Sequence, residues 1–401
     1  MKKIVVLVLA AAALAAAPRA RAAVEPVPEP AREKDPAARE RALQELALLD
    51  RQLAACLEYA QYDKALGILN RQIAIAPSWP DPHYNRACML ARLKQNDAAL
   101  AALRKAIDLG WGNLRLMLRD PDIEPLRGEA AFADLVAAVR KNRDKTPVEA
   151  GEEIAGVRTV ERELDTGLRY RVRMSPEATA EKPQRLIVWM HPAGWSMNRQ
   201  VERLSTNFNR MGFALLVPTR KQMANWTASE IEALLVDTVA DAGTVPGLDH
   251  RRPILMGFSA GGQAALRWYF AKADLVGGLV LDAAYPVAPA AGGRVSVLRP
   301  PPSEAAKKAP VIAFVGSKDG GSQIWAVAAD PWTEAGVPLT VVYVAGMPHT
   351  WMIRDRQLAQ LETWLGEVAA GGLPKGIVGT APPKPEPSTP AESPPTPPPA
   401  M

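Results

Sequence analysis

Cysteine is scarce in this sequence: only Cys56 and Cys88 occur among 401 residues, and histidine occurs four times. A zinc site of cysteine and histidine ligands is excluded by that count. No histidine pattern accompanies the two cysteines, so they do not mark a Cys–His nucleophile. They read either as a disulfide between neighbouring helices, which export would permit, or as two small buried apolar residues. No cysteine adjoins the apolar run near the N-terminus, which argues against a lipid-anchored lipoprotein, and that run is short for a membrane span. Net charge is nearly absent as well. Of the formal +5, Lys2, Lys3, Arg19 and Arg21 contribute four, leaving about +1 once residues 1–22 are set aside. No general affinity for nucleic acid or acidic surfaces is expected from such a balance.

What is present divides into blocks. Residues 1–22 carry two lysines, the apolar run IVVLVLAAAALAAA and a small-residue site at Ala20-Arg21-Ala22, the pattern of a secretory signal. Export to the periplasm or medium follows, with no stable membrane span after cleavage. Residues 23–39 are proline-rich and charged, as extended linkers are. From 40 to 142 the pattern is helical, and YDKALGILNRQIAIAP (62–77) aligns with NDAALAALRKAIDLGW (96–111) at an offset of 34 residues, pairing Ala65 with Ala99, Leu69 with Leu103 and Ile73 with Ile107. That period and the small residues Ala65, Ala87 and Ala99 resemble the tetratricopeptide repeat family. The resemblance departs from the family in its few large aromatics and in Leu53, which stands where the first repeat needs a small residue. It implies a helical-repeat module with a concave surface for a protein partner.

Residues 143–156 are polar and mark a boundary. Beyond it, residues 157–174 read as a strand hairpin around Asp165-Thr166-Gly167. Six apolar runs follow, at 185–191, 213–219, 254–259, 278–283, 311–319 and 339–346, separated by stretches long enough for crossover helices. Their continuous apolarity suits strands covered on both faces, hence a mostly parallel sheet with helices on both sides over 157–369. Residues 370–401 read as a disordered proline-rich tail.

The chemistry gathers at ILMGFSAGGQAAL, 254–266, where Ser259 stands between glycines as a strand gives way to a helix. A serine hydroxyl needs a base within hydrogen-bond reach, itself oriented by an acid. His349, in AGMPHTW after the last strand, is the one histidine downstream of the serine. Asp319, in VIAFVGSKDGG just past a strand end, is the acid, with Asp282 in GLVLDAAYP as its rival.

GFSAG at such a junction, followed in order by an acid and a histidine, resembles the α/β-hydrolase superfamily, closest to the dienelactone hydrolase, carboxylesterase and polyhydroxyalkanoate-depolymerase groups. The resemblance implies an acyl-enzyme cycle on Ser259, Asp319 and His349, with no metal or cofactor. It implies an oxyanion hole from Ala260 and from Ala193 or Gly194 in the HPAGW loop, which His191 would fix by hydrogen bonds. Trp195, Trp226, Tyr285 and Trp351 are the candidate substrate contacts. The 28 or so residues after 282 leave room for a small flap only, favouring an esterase of soluble or polymeric esters over a lidded lipase. Two alternatives stay open: a peptidase of the prolyl-oligopeptidase type, and a helical-repeat scaffold whose hydrolase domain is inactive.

Overall fold

The computed structural model describes residues 36–144, 148–219, 226–289 and 295–383. The secretory signal and the start of the linker expected over 23–39 lie outside them. The chain forms two compact units, divided between Pro253 and Ile254.

The first unit begins with antiparallel helical hairpins. Helices α1 (Pro36–Glu58), α2 (Tyr62–Ile75), α3 (Pro80–Arg92) and α4 (Asn96–Asp108) pack each on the next. In α1 the buried Leu46, Leu49, Leu53 and Leu57 recur every three or four residues and line one stripe of the helix. Ala65, Ala87 and Ala99 have no exposed surface, so the expected small positions are where helices meet closely. Helix α5 (Leu114–Arg119), a tight turn at Pro121–Leu126, and α6 (Ala130–Asp144) close the stack. Cys56 and Cys88 are free thiols, Cys88 buried near Asp120. Among the described residues no helix is long and apolar enough to cross a membrane.

Strands follow: β1 (Arg158–Glu163) is antiparallel to β2 (Arg169–Met174), and β2 to β4 (Phe213–Pro218), which lies parallel to β3 (Gln184–Met190). Helices α7 (Asn198–Glu202) and α8 (Ser205–Arg210) pack on β4. Arg171 and Arg173 alternate with Tyr170 and Val172 along β2 as if facing water, yet both guanidinium groups are buried on Glu202, at 2.6 and 2.8 Å. Next, α9 (Ala228–Glu232), a π-helical turn at Ala233–Thr238 and α10 (Val239–Ala242) form one continuous helical segment leading to β5 (Leu248–Phe258). The helical stack is fastened to this segment by charge: Asp237 accepts hydrogen bonds from Arg115 Nε and Arg119 Nη1, each at 2.6 Å.

In the second unit, β5 from Ile254 onward is parallel to β6 (Gly278–Asp282), β6 to β9 (Val311–Gly316), β9 to β10 (Leu339–Val344), and β10 to the short β11 (Gly376–Val378). Helix α11 (Ala260–Lys272) packs on β6, α12 (Ser322–Glu334) on β9 and β10, and α13 (Asp355–Ala369) on β9. Strands β7 (Val287–Pro289) and β8 (Val295–Val297) pair as a separate antiparallel ribbon, a small element where only a flap was expected. Strands β6 and β9 are buried along their whole length, which accounts for their unbroken apolar sequences. The architecture is thus the expected α/β-hydrolase class, mostly parallel strands with covering helices, preceded by an all-helical region. Two boundaries differ: residues 36–39, expected in the linker, open α1. Residues 376–378, assigned to the disordered tail, form the edge strand β11, whose Ile-Val pair between glycines is too short to show a period.

Asp237 is nearly buried, and its removal leaves the Arg115 side chain, itself 12% exposed, without its main acceptor. Asp237→Ala is expected to lower stability by about 1–3 kcal/mol in chemical denaturation, with the loss shrinking in 1 M salt as the Arg119 pair, on a half-exposed arginine, is screened.

Candidate active site

At the end of β5 the backbone turns sharply into α11, and Ser259 holds the turn at φ 52°, ψ −117°. A non-glycine residue at positive φ costs on the order of 1–3 kcal/mol and persists only where its surroundings enforce it. The surroundings here are close backbone. A Cβ on Gly257 would stand 2.4 Å from the Gly261 carbonyl carbon, and one on Gly262 would stand 2.4 Å from Ala284 Cβ. The Ser259 N–H donates to the Asp282 carbonyl at 2.9 Å. Ala260 opens α11, so its N–H is among the amides a helix leaves without an intrahelical acceptor, at the positive end of the helix dipole.

The structure brings the three expected residues together. Ser259 Oγ lies 2.8 Å from His349 Nε2, and His349 Nδ1 lies 2.7 Å from Asp319 Oδ2. A carboxylate can only accept, so Nδ1 carries the proton and Nε2 is left to accept from the serine hydroxyl. The imidazole is 49% exposed while the Asp319 side chain is 6% exposed: the acid is shielded and the base open. Asp319 is fixed from behind, since its Oδ1 accepts from Gly321 N–H at 3.2 Å.

The loops bearing acid and base are fastened to each other. Lys318 N–H donates to Met347 O at 2.9 Å, and Gly346 N–H donates to Ser317 Oγ at 2.8 Å. Gly316 permits this approach, because a Cβ there would stand 2.4 Å from Met347 O. Phe258 stacks on the His349 ring at 5.6 Å and meets Trp351 edge-on at 6.1 Å. Phe258 escaped the sequence reading, since a single aromatic residue before Ser259 carries no signal of its own.

Asp282, the rival acid, is fully buried and does not contact the imidazole. Its Oδ2 accepts from the backbone N–H groups of Met352 at 2.8 Å and Ile353 at 3.3 Å. Burial pushes its pKa up to about 8, against the pull of those two hydrogen bonds. Tyr285 is also buried, and its hydroxyl faces Asp319; burial, and then that carboxylate, push its pKa upward.

In the first unit the loop after β3 carries the remaining candidates. His191 is buried, its Nδ1 within 2.8 Å of Pro192 O, and burial lowers its pKa, consistent with a bracing role rather than that of a base. Ala193, Gly194 and Trp195 are exposed, Trp195 by 63%. Trp226 is buried, donates its indole N–H to His191 O at 2.8 Å and packs 4.5 Å from that ring, so it supports the loop. The Tyr285 ring packs over Gly321. A loop aromatic's sequence neighbours do not reveal whether its polar atom finds a buried partner. Trp351 is partly exposed, as a substrate contact would need to be.

No protein-family model matches the sequence, and no curated protein matches it. Among solved structures the chain is similar to EstE1, a thermophilic carboxylesterase from a metagenomic library, at 19% identity over 56% of this chain and 92% of that one, TM-score 0.42. It is similar to FphF, a fluorophosphonate-binding serine hydrolase of Staphylococcus aureus, at 13% identity over 52% of this chain and 98% of that one, TM-score 0.41. A Bacillus cereus protein is similar over 80% of this chain and 98% of its own, at 13% identity and TM-score 0.34.

Two outcomes follow from this geometry. Gly257→Ala is expected to destabilise by about 1–3 kcal/mol or more, because the new methyl meets backbone that cannot swing aside; thermal denaturation measures it. Asp282 titrates near 3.8 when unfolded and near 8 when folded. Between those values the folded state binds a proton the unfolded state lacks, so the group makes stability fall as pH rises from about 4 to about 8. Asp282→Asn removes that slope, and denaturation at pH 5 and pH 8 should show the variant gaining on the wild type at the higher pH.

Proposed function

We propose that this chain is a serine hydrolase of carboxylic esters. The observation that carries the reading is the continuous hydrogen-bond chain from Ser259 through His349 to Asp319, with the serine held at positive φ at the head of a helix. Ser259 Oγ attacks the ester carbonyl carbon as His349 Nε2 takes its proton, and the C=O electron pair moves onto oxygen. The Ala260 N–H, at the start of α11, meets that negative charge. Collapse breaks the bond to the alcohol oxygen, which leaves with the proton from His349. Water then attacks the acyl-serine with His349 again as base, and the acid departs. Asp319 keeps the imidazole in the tautomer that accepts from serine and stabilises the imidazolium.

Ester is favoured over peptide because the segment preceding the hydrolase region is a stack of helices, where a peptidase of the prolyl-oligopeptidase type carries a gating propeller. In this reading residues 1–22 direct the chain out of the cytoplasm, and the helical stack, of tetratricopeptide type, holds a protein partner.

The test is labelling with a fluorophosphonate alongside hydrolysis of p-nitrophenyl acetate and longer-chain esters. Wild type is expected to label and to turn over ester, Ser259→Ala to do neither, and His349→Ala and Asp319→Asn to lower kcat by roughly 10⁴-fold. A folded wild type that ignores both probes overturns the proposal.

A further inference from the structure

Asp282 is a fully buried carboxyl that the proposed chemistry leaves unused, and its position is unusual in bonding both the backbone of the Ser259 turn and the backbone of the segment that follows His349. Its main-chain carbonyl accepts the Ser259 N–H at 2.9 Å, at the point where the nucleophile turn begins. Its side chain accepts the N–H groups of Met352 and Ile353, three and four residues beyond His349. Both those residues are buried at 1% exposure, so their amides have no recourse to water if the carboxyl is removed. The segment they belong to leads from His349 into α13 without regular structure, and a loop of that kind depends on such side-chain acceptors for its backbone. Asp282 Oδ1 has no hydrogen-bond partner among the described residues. An unpaired buried carboxyl oxygen is costly, and aliphatic side chains of similar size fit a strand end of this kind without that cost. Core packing alone therefore does not call for an acid here.

We propose that Asp282 is a positioning residue that ties the His349-bearing segment to the nucleophile turn, so that one side chain sets the separation of Ser259 Oγ and His349 Nε2. The assignment of a catalytic consequence rests on the serine-hydrolase reading above; the tie itself does not. Asp282 does not touch the reacting atoms, and it acts through the backbone on either side.

The experiment compares wild type with Asp282→Leu, close in volume, with Asp282→Ala, and with Asp282→Asn, which keeps an acceptor oxygen without the charge. Each is measured for amide hydrogen exchange at Met352 and Ile353 and for kcat and KM on p-nitrophenyl acetate. The Leu and Ala variants are expected to raise exchange at those amides about tenfold or more, and to lower kcat about tenfold to a hundredfold while KM stays within about twofold. Asp282→Asn is expected to recover most of both. Where the Ala variant does not fold, the Leu and Asn pair carries the test. The proposal is overturned if exchange and kcat in the Leu variant match wild type, or if Asn loses as much as Leu. A wild type with protected amides but no ester turnover, with exchange rising in the Leu variant, would sink the esterase reading and support the tie.

Discussion

The approach of α11 to the end of β5, too close to admit a Cβ at Gly257, dictates where the Ser259 hydroxyl can stand. Were the helix to begin an ångström further out, the turn could relax to ordinary backbone angles and the side chain would fold back over the strand. The close approach enforces positive φ at Ser259, and positive φ in turn presents Oγ beyond the strand end, within 2.8 Å of His349. The strain is local and is offset by packing spread over the buried length of β5, β6 and α11. The same contact puts the first amides of α11 beside the hydroxyl, so the geometry that exposes the nucleophile also supplies a donor for the charge that would develop.

Asp319 and Asp282 both stand past or at the ends of parallel strands in the second unit, and their different surroundings give them different work. Asp319 lies in a turn with a backbone donor behind it and an imidazole in front. Asp282 has two backbone donors on one oxygen, none on the other and no exposed surface, and desolvation prevails over them. One carboxyl is held against a ring nitrogen of His349. The other accepts hydrogen bonds from the loop in either protonation state, which suits a structural anchor.

Much of this was legible in the sequence because the signals were of type and order. Continuous apolar runs located the parallel strands, and a serine between glycines followed downstream by an acid and a histidine located the three residues that meet. What escaped was set by tertiary surroundings. Arg171 and Arg173 alternate along β2 as solvent-facing residues do, and only Glu202, brought in by α7, makes their burial tolerable. Trp226 and Trp195 both follow strand ends in loops, yet one is buried on His191 and the other is 63% exposed. Asp282 could be read only as a rival acid, since a carboxylate's partners among backbone amides seventy residues away leave no mark in its own neighbourhood. Strand β11 exists because β10 offers an open edge, and three residues carry no periodicity to announce it.

The helical region closes its own apolar core, from Leu53 to Val139, and none of the residues in that cluster belongs to the strands that follow. Its fastening to the α9–α10 segment is correspondingly polar, two arginines of α5 on one aspartate at a π-helical turn. The π turn contributes directly: its widened backbone places Asp237, nearly buried, where both guanidinium groups of one short helix can reach it. Because removing the acceptor strands the buried Arg115, whereas removing Arg119 costs only a half-exposed partner, the fastening is asymmetric, and Asp237 with Arg115 is the pair on which the attachment of the stack depends.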